Sequence, residues 1–355
     1  MRFAPVDLSS TSTMKCWSRR SSSALKRAEL ALLALAHMKD RLEVQNVSLE
    51  SGNCLHCVIC GSVQSPALLL LHGLCGGGAM LYGVLAELAA IYRLYLVDLM
   101  GMGQSSRPAC NVASTEAAEA FFTAPLEELC QLLELDSFVL MGHSFGGYVA
   151  GAYALAYPHR VRQVLFLSPI GVTLKPVEFS SLQDCSWTAK LYWRTLAYMW
   201  RKKLTPNSLL QMTGPLSGLL LSLYTKQRLA GLDSLERKAV QLYLEQVCLL
   251  PSSGDLALVH LLEPGTYACK PLAGRLCSLS VPMAFIYGEN DWVSPLGGLQ
   301  VRASTSTPVA VHIVPESGHL LYMDNPAGLL SAIHLVLTHP ALSTSLSPSQ
   351  VWPGK

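Results

Sequence analysis

Charged residues are scarce in this 355-residue chain, 14% of the total, and they almost cancel to a formal net charge of +2. That excludes a surface built to coat nucleic acid, which needs concentrated positive charge against phosphate. Long apolar runs are missing too: Leu30 to Ala36 is bounded by Arg27 and Lys39, well short of a bilayer span. No secretory signal is evident, and the eleven cysteines are odd in number and scattered from Cys16 to Cys277. This usage fits free thiols in a reducing compartment better than a disulfide framework. Cys54, Cys57 and Cys60, with His56 among them, have a spacing that would suit zinc, but no second Cys or His pair follows. A tetrahedral site needs four convergent ligands, so the run reads as a plain strand. No Gly-Lys-Ser/Thr follows the glycine cluster after Leu71 and no dinucleotide fingerprint is complete, so that cluster does not read as a phosphate-cradling loop; no metal or bound organic cofactor is expected.

Half of the residues are apolar, enough for a large core with some apolar surface left over for lipid. From about Leu42, short apolar runs alternate with helical stretches, the pattern of an α/β fold with a mostly parallel sheet covered on both faces. Strands are expected at Val44 to Leu49, Cys54 to Cys60, Ala67 to Leu71, Tyr92 to Val97 and Phe138 to Met141. Three more are expected at Val164 to Leu167, Met283 to Tyr287 and Val309 to Val314. Helices are expected around Ala79 to Ala90, Ser114 to Leu133, Phe145 to Tyr157 and Pro326 to Leu337. The chain thus divides into a basic, Ser-rich head with a leading helix (1–40), a first core part (41–169), an insertion (170–280), a second core part (281–339) and a loose tail (340–355).

The head carries Arg2, Lys15, Arg19, Arg20, Lys26 and Arg27 against only Asp7 and Glu29. It reads as a basic tail, with a mitochondrial transit peptide as the alternative. The insertion sets Trp187, Tyr192, Trp193, Tyr198, Met199 and Trp200 beside Arg194, Arg201, Lys202 and Lys203, ahead of the apolar stretch Leu216 to Leu223. Aromatics beside cations suit a lid that meets a lipid surface; a helical cap packed on its own core has the same pattern.

The strongest chemical signal is Gly142-His143-Ser144-Phe145-Gly146, directly after the strand ending at Met141 and before a helical stretch. A serine on a tight strand-to-helix turn is strained, and the flanking glycines relieve its clashes so that the hydroxyl stands free. The helix that follows points its positive end at developing negative charge. Ser144 needs a base, and His319 follows the last strand, where the order nucleophile, acid, histidine places it. Among the remaining histidines, His143 reads as a packing or hydrogen-bonding residue of the turn and His72 as tied to its loop. Asp291 is the expected acid, chosen over Glu289 because the loop after Gly288 must extend to reach His319. His72 to Gly78, rich in glycine after the strand ending at Leu71, reads as the oxyanion loop, in which the amide of Leu74, or alternatively Cys75, joins that of Phe145.

With these motifs the chain resembles the α/β-hydrolase superfamily over about Trp17 to Leu337. Asp98 to Pro108 and Tyr287-Gly288-Glu289-Asn290-Asp291-Trp292 narrow the resemblance to the domain-containing branch numbered four and five, with related fungal and plant lipid acyl enzymes. The resemblance implies an α/β-hydrolase fold with a helical lid. His319 and Asp324 are similar to the His-x4-Asp element of glycerolipid acyltransferases, which implies acyl transfer to lysophosphatidic acid with acyl-CoA as cosubstrate; Asp324 or Asn325 ahead of Pro326 equally reads as a helix cap. One member of the branch lacks the serine and acts as a lipase coactivator, a condition from which Ser144 departs.

The expectation is therefore a serine-dependent phospholipid or lysophospholipid acyl hydrolase working through an acyl-enzyme. The alternatives are an acyl-CoA-dependent lysophosphatidic acid acyltransferase and a non-catalytic lipid-binding regulator. The expected setting is cytoplasmic, peripheral to membranes or lipid droplets, or else mitochondrial.

Overall fold

The apolar runs Ala67–Leu71, Phe138–His143, Val161–Leu167 and Met283–Gly288 form the inner strands of an eight-stranded sheet, buried on both faces as continuous hydrophobic strands require. The computed structural model describes residues 21–38, 41–174, 187–264 and 267–338. In chain order the strands are β1 (Leu42–Ser48), β2 (Cys54–Cys60), β3 (Ala67–Leu71), β4 (Arg93–Val97), β5 (Phe138–His143), β6 (Val161–Leu167), β7 (Met283–Gly288) and β8 (Val309–Val314). Their spatial order is β1-β2-β4-β3-β5-β6-β7-β8. Pairing is antiparallel at β1/β2 and β2/β4 and parallel from β4 onward. The connections reverse direction between β3 and β5. The loops after those two strands therefore leave on opposite sides of one crevice at the carboxyl ends of the strands, where open α/β sheets bind ligands.

Helices α1 (Ser22–Leu33), α2 (Leu85–Ala89), α3 (Thr115–Leu132) and α4 (Phe145–Ala156) belong to the first part of the fold. Ser21 caps α1 and Ser114 caps α3, each side chain accepting a first-turn amide. The expected helix at Ala79 to Ala90 is instead a 3-10 stretch, Gly78–Val84, leading into the short α2. Gly78 and Gly83 lower the helical propensity there. The segment between β6 and β7 carries α5 (Trp187–Arg201), α6 (Pro206–Met212), α7 (Ser217–Arg228), α8 (Ser234–Leu249), α9 (Gly254–Leu261) and α10 (Ala273–Leu276). α8 sends Val240 and Tyr243 into one of the two cores that flank the sheet and α9 sends Leu258 and Leu261 into the other, whereas α5 exposes Trp187 and Tyr198 and turns Trp200 inward to donate to the Leu262 carbonyl at 2.8 Å. The side chains of Tyr192 and Trp193 lie outside the described residues, as do Arg2, Lys15, Trp17, Arg19 and Arg20 of the head and the tail after Pro340. α11 (Leu296–Ser304), α12 (Leu321–Asp324) and α13 (Pro326–Thr338) complete the fold. No helix among the described residues is long and apolar enough to cross a membrane.

β2 is a strand over the whole cysteine run, and Cys57 and Cys60 enter the two different cores on opposite faces of the sheet. The three thiols therefore do not converge. His56 reaches instead for α1: its Nε2 lies 3.0 Å from Glu29, its Nδ1 2.7 Å from Asn46 Oδ1, and Gln104 donates to the same carboxylate. Glu29, one of the two acidic residues of the head, is fully buried. Burial raises the Glu29 carboxyl despite the nearby imidazole, and His56 is raised by the Glu29 and Asp98 carboxylates against its own burial. The pair fastens α1 to the sheet. Removing one partner of such a buried pair strands the other, so Glu29→Ala is expected to lower unfolding free energy by about 3–5 kcal/mol, read from urea denaturation. A loss within the error of the fit would show that α1 is held by apolar packing alone.

Candidate active site

β5 delivers the chain to Ser144 in a conformation that L-residues avoid, φ 54° and ψ −117°, and α4 begins at the next residue. The turn closes because its neighbours have no side chains. A Cβ on Gly142 would come within 2.3 Å of the Gly146 carbonyl oxygen, and one on Gly146 within 2.5 Å of the Leu71 and His72 carbonyls. Main-chain bonds hold the strained residue, Ser144 N–H donating to the Leu167 carbonyl and Ile170 N–H to that of Ser144. The Phe145 amide opens α4 and has no carbonyl four residues back within the helix to bond.

The loops after β7 and β8 bring the other two candidates to this hydroxyl. His319 Nε2 lies 2.9 Å from Ser144 Oγ, and its Nδ1 lies 3.0 Å from Asp291 Oδ1. Both loops are tied together by main chain, since Asn290 N–H donates to the Ser317 carbonyl at 2.8 Å. Glu289, the rejected acid, turns aside and accepts the Glu316 amide. The Asp291 side chain is wholly buried. Burial alone would raise its carboxyl, but the hydrogen bond and charge of His319, together with the Ser168 hydroxyl beside it and the Val293 amide, hold it below the ordinary carboxylate value.

His143 and His72 are structural supports. Burial, reinforced by His319, pushes His143 down to about 3, so it is neutral and its Nε2–H donates to the His319 carbonyl at 2.8 Å. Its ring is wedged between those of His319 and Tyr322, at 4.9 and 5.1 Å. Burial likewise lowers His72. His72 Nε2 accepts the Leu99 amide at 3.0 Å, and Nδ1 donates to the Gly73 carbonyl at 2.8 Å. Asp98 accepts the amides of Gly78 and Gln104 at 2.7 and 2.8 Å. The Asp98 to Pro108 segment is therefore the brace of the glycine-rich loop. Glu29, His56 and Asp98 place ligand atoms within 4.8 Å of one another, but these same atoms are taken up by the bonds just described.

Asp324 holds Arg228 of α7 in a two-point grip, at 2.9 and 2.7 Å, and accepts the Gly318 amide at 2.9 Å. It therefore steadies the backbone beside His319. The cap of α13 falls to Asn325, whose Oδ1 accepts the Gly328 amide.

Ser144 and His319 open into a cavity of about 450 Å³ whose walls are mostly apolar, with Leu74 and Met80 on the core side and Leu210, Leu221, Tyr224 and Leu244 from the insertion. Cys75, in a left-handed conformation (φ 59°), donates its thiol to Asn207 of α6 at 2.9 Å, joining the glycine-rich loop to the insertion. On the other side of His319 lies a more polar cavity of about 460 Å³, lined by Arg228, Trp292, Glu316 and Asp324. Sequence reasoning missed Ser168, at the end of β6 with φ 44°, and the apolar wall from α6 to α8. A search of every strand's carboxyl end would have found Ser168; the apolar stretch Leu216 to Leu223 signalled part of the wall but not that it faces Ser144.

The model for the alpha/beta hydrolase fold matches residues 66–326. A 1-acylglycerol-3-phosphate O-acyltransferase of Arabidopsis thaliana is 34% identical over 281 residues, covering 76% of this chain and 66% of the relative, so the chain spans slightly less than two thirds of that protein. A (lyso)-N-acylphosphatidylethanolamine lipase of Mus musculus is 27% identical over 314 residues, covering 86% of this chain and 89% of the relative. Among solved structures, carboxylesterase CesB of Bacillus subtilis superposes with a TM-score of 0.62 at 18% identity, covering 89% of this chain and 98% of the other.

Because folding holds the Asp291 carboxyl below its ordinary value, the group contributes stability above the unfolded carboxylate range, and that contribution is lost as pH falls through the folded value. Asp291→Asn lacks this component. Denaturation curves of the two proteins are expected to draw together as pH drops below the ordinary carboxylate range; a gap that widens in acid would reverse the assignment.

Proposed function

Because the chain belongs to the alpha/beta hydrolase fold family, we propose that it is a serine-dependent acyl hydrolase of phospholipids or lysophospholipids. The observation that carries this reading is the imidazole of His319 set between the Ser144 hydroxyl and the buried Asp291 carboxylate. A hydroxyl, an imidazole and an acid in that order make a nucleophile near neutral pH. The apolar cavity at Ser144 supports an acyl chain as the ligand, and lipid enzymes among the relatives support the class.

In the proposed reaction Ser144 Oγ attacks the ester carbonyl carbon while its proton passes to His319 Nε2. Asp291 keeps Nδ1–H aimed and stabilises the imidazolium. The amides of Phe145 and Leu74 hold the oxyanion, aided by the positive end of α4. Collapse breaks the bond to the leaving alcohol, which takes the proton from His319, and leaves the acyl group on Ser144. Water, deprotonated by His319, then releases the fatty acid and restores the hydroxyl. If the hydroxyl of lysophosphatidic acid attacks instead, the same acyl-enzyme yields phosphatidic acid, with acyl-CoA as the donor. The name of the plant relative favours this second outcome. In both, Asp324 serves through Arg228 and Gly318. A lipid substrate places the enzyme at a membrane or lipid-droplet surface in the cytoplasm, or in mitochondria if the head directs it there. A lipid-binding regulator on the same fold would not need the Ser144–His319 contact.

A fluorophosphonate probe is expected to label the wild type and not Ser144→Ala; equal labelling would remove Ser144 from the mechanism. Asp291→Asn should cut kcat by roughly 10⁴ with little change in KM. Incubation with labelled phospholipid, with and without lysophosphatidic acid and acyl-CoA, separates the two outcomes. Free fatty acid is expected; phosphatidic acid that disappears in Ser144→Ala and His319→Ala would make transfer the principal activity.

A further inference from the structure

α7 is built inside out. Its residues facing the protein include Ser217 and Thr225, both 0% exposed, whose hydroxyls are satisfied by the Gly214 and Ser222 carbonyls of their own turn. Its outward face, continued back to the end of α6, carries Met212, Leu216, Leu219, Leu220, Leu223 and Tyr224, each between 44% and 71% exposed. The steps of three and four residues put these side chains on one stripe. Of the four leucines of α7 only Leu221 is buried, while Leu219, Leu220 and Leu223 face outward and Ser217 and Thr225 lie inside; an exposed apolar stripe of this kind marks a site of association.

The charges around the stripe say what it meets. From Leu204 to Thr225 the sequence has no charged residue, and from Trp187 to Leu232 it has seven basic residues and no Asp or Glu. Lys202 and Lys203 before the uncharged segment and Lys226 after it are exposed. Cations flanking an apolar stripe, with a tyrosine at its edge, match a leaflet in which anionic head groups surround acyl chains. The stripe also runs into the mouth of the cavity: Leu220 and Tyr224, exposed on one side, line the space in which Ser144 stands on the other.

We propose that the outward face of α6 and α7 docks on an anionic phospholipid membrane surface, with Leu219 and Leu223 entering the acyl boundary beside the cavity mouth. A chain leaving the leaflet then passes along Leu220 and Tyr224 to Ser144 without crossing water. This last step rests on the acyl-hydrolase reading; the docking itself does not.

The test is co-sedimentation of the full chain with vesicles of phosphatidylcholine alone or mixed with phosphatidylserine. Wild type should bind the mixed vesicles more tightly, and salt should weaken that preference. The double variant Leu219→Glu, Leu223→Glu should bind about a hundredfold more weakly, while its turnover of a water-soluble short-chain ester stays at the wild-type level. Ser144→Ala should bind vesicles as wild type does, so a failure of the proposed chemistry leaves the docking result readable. Equal binding of wild type and double variant would overturn the proposal. So would a wild type that is dimeric in light scattering where the double variant is monomeric, without a difference in vesicle binding. Leu223→Trp supplies an independent reading: bromine-labelled acyl chains should quench its fluorescence beyond the wild-type level, and no added quenching would place the face outside the membrane.

Discussion

The backbone of Ser144 is the constraint around which the rest of the site is arranged. A residue held at φ 54° and ψ −117° between a buried strand and a helix stores strain on the order of 1–3 kcal/mol, and it persists only because the surroundings leave no easier path. β5 and α4 are buried along nearly their whole lengths, the flanking glycines let main chain meet main chain, and the carbonyls of Leu167 and Ser144 accept the bonds that fix the turn. The placement of the hydroxyl against His319, the open amide of Phe145 and the axis of α4 all follow from that one turn.

Around it the protein uses neutral histidines and a half-buried carboxylate as struts. His72 joins the glycine-rich loop to the segment after β4, and His143 holds the carbonyl of His319 while remaining uncharged. Asp324 connects Arg228 of the insertion to the amide beside His319. A shift of α7 is therefore felt at His319 through one ion pair and one hydrogen bond. The same helix forms part of the cavity at Ser144 and presents the apolar stripe outward, so one helix borders both the surface and the cavity and is linked to the imidazole through Asp324.

Strand positions were the most legible feature, because a strand buried on both faces must be a continuous apolar run. Cys54–Cys60, Ala67–Leu71 and Val309–Val314 begin and end where the pattern says, and β5 and β6 exceed the expected spans only at their ends. The glycine-rich turn at Ser144 was equally plain, since its residue types answer a local steric demand. Helices were less so: Gly78–Val84 has a helical pattern but adopts 3-10 geometry, as packing and two glycines outweigh periodicity. Glu29, counted only as one of two acidic residues in the head, is buried on His56, a partner 27 residues away that no local pattern reveals.

What the sequence determined by itself were the quantities set within a few residues: the strands, the strained serine turn, the α/β class and the choice of Ser144, Asp291 and His319 as candidates. The tertiary structure alone decided that these three meet within 3.0 Å, that Asp324 answers to Arg228, and that α7 wears its apolar side outward. An amphipathic stripe is invariant to which way the helix is turned, and a distance between residues 175 positions apart depends on how every intervening element packs. Neither is written in any short stretch of chain.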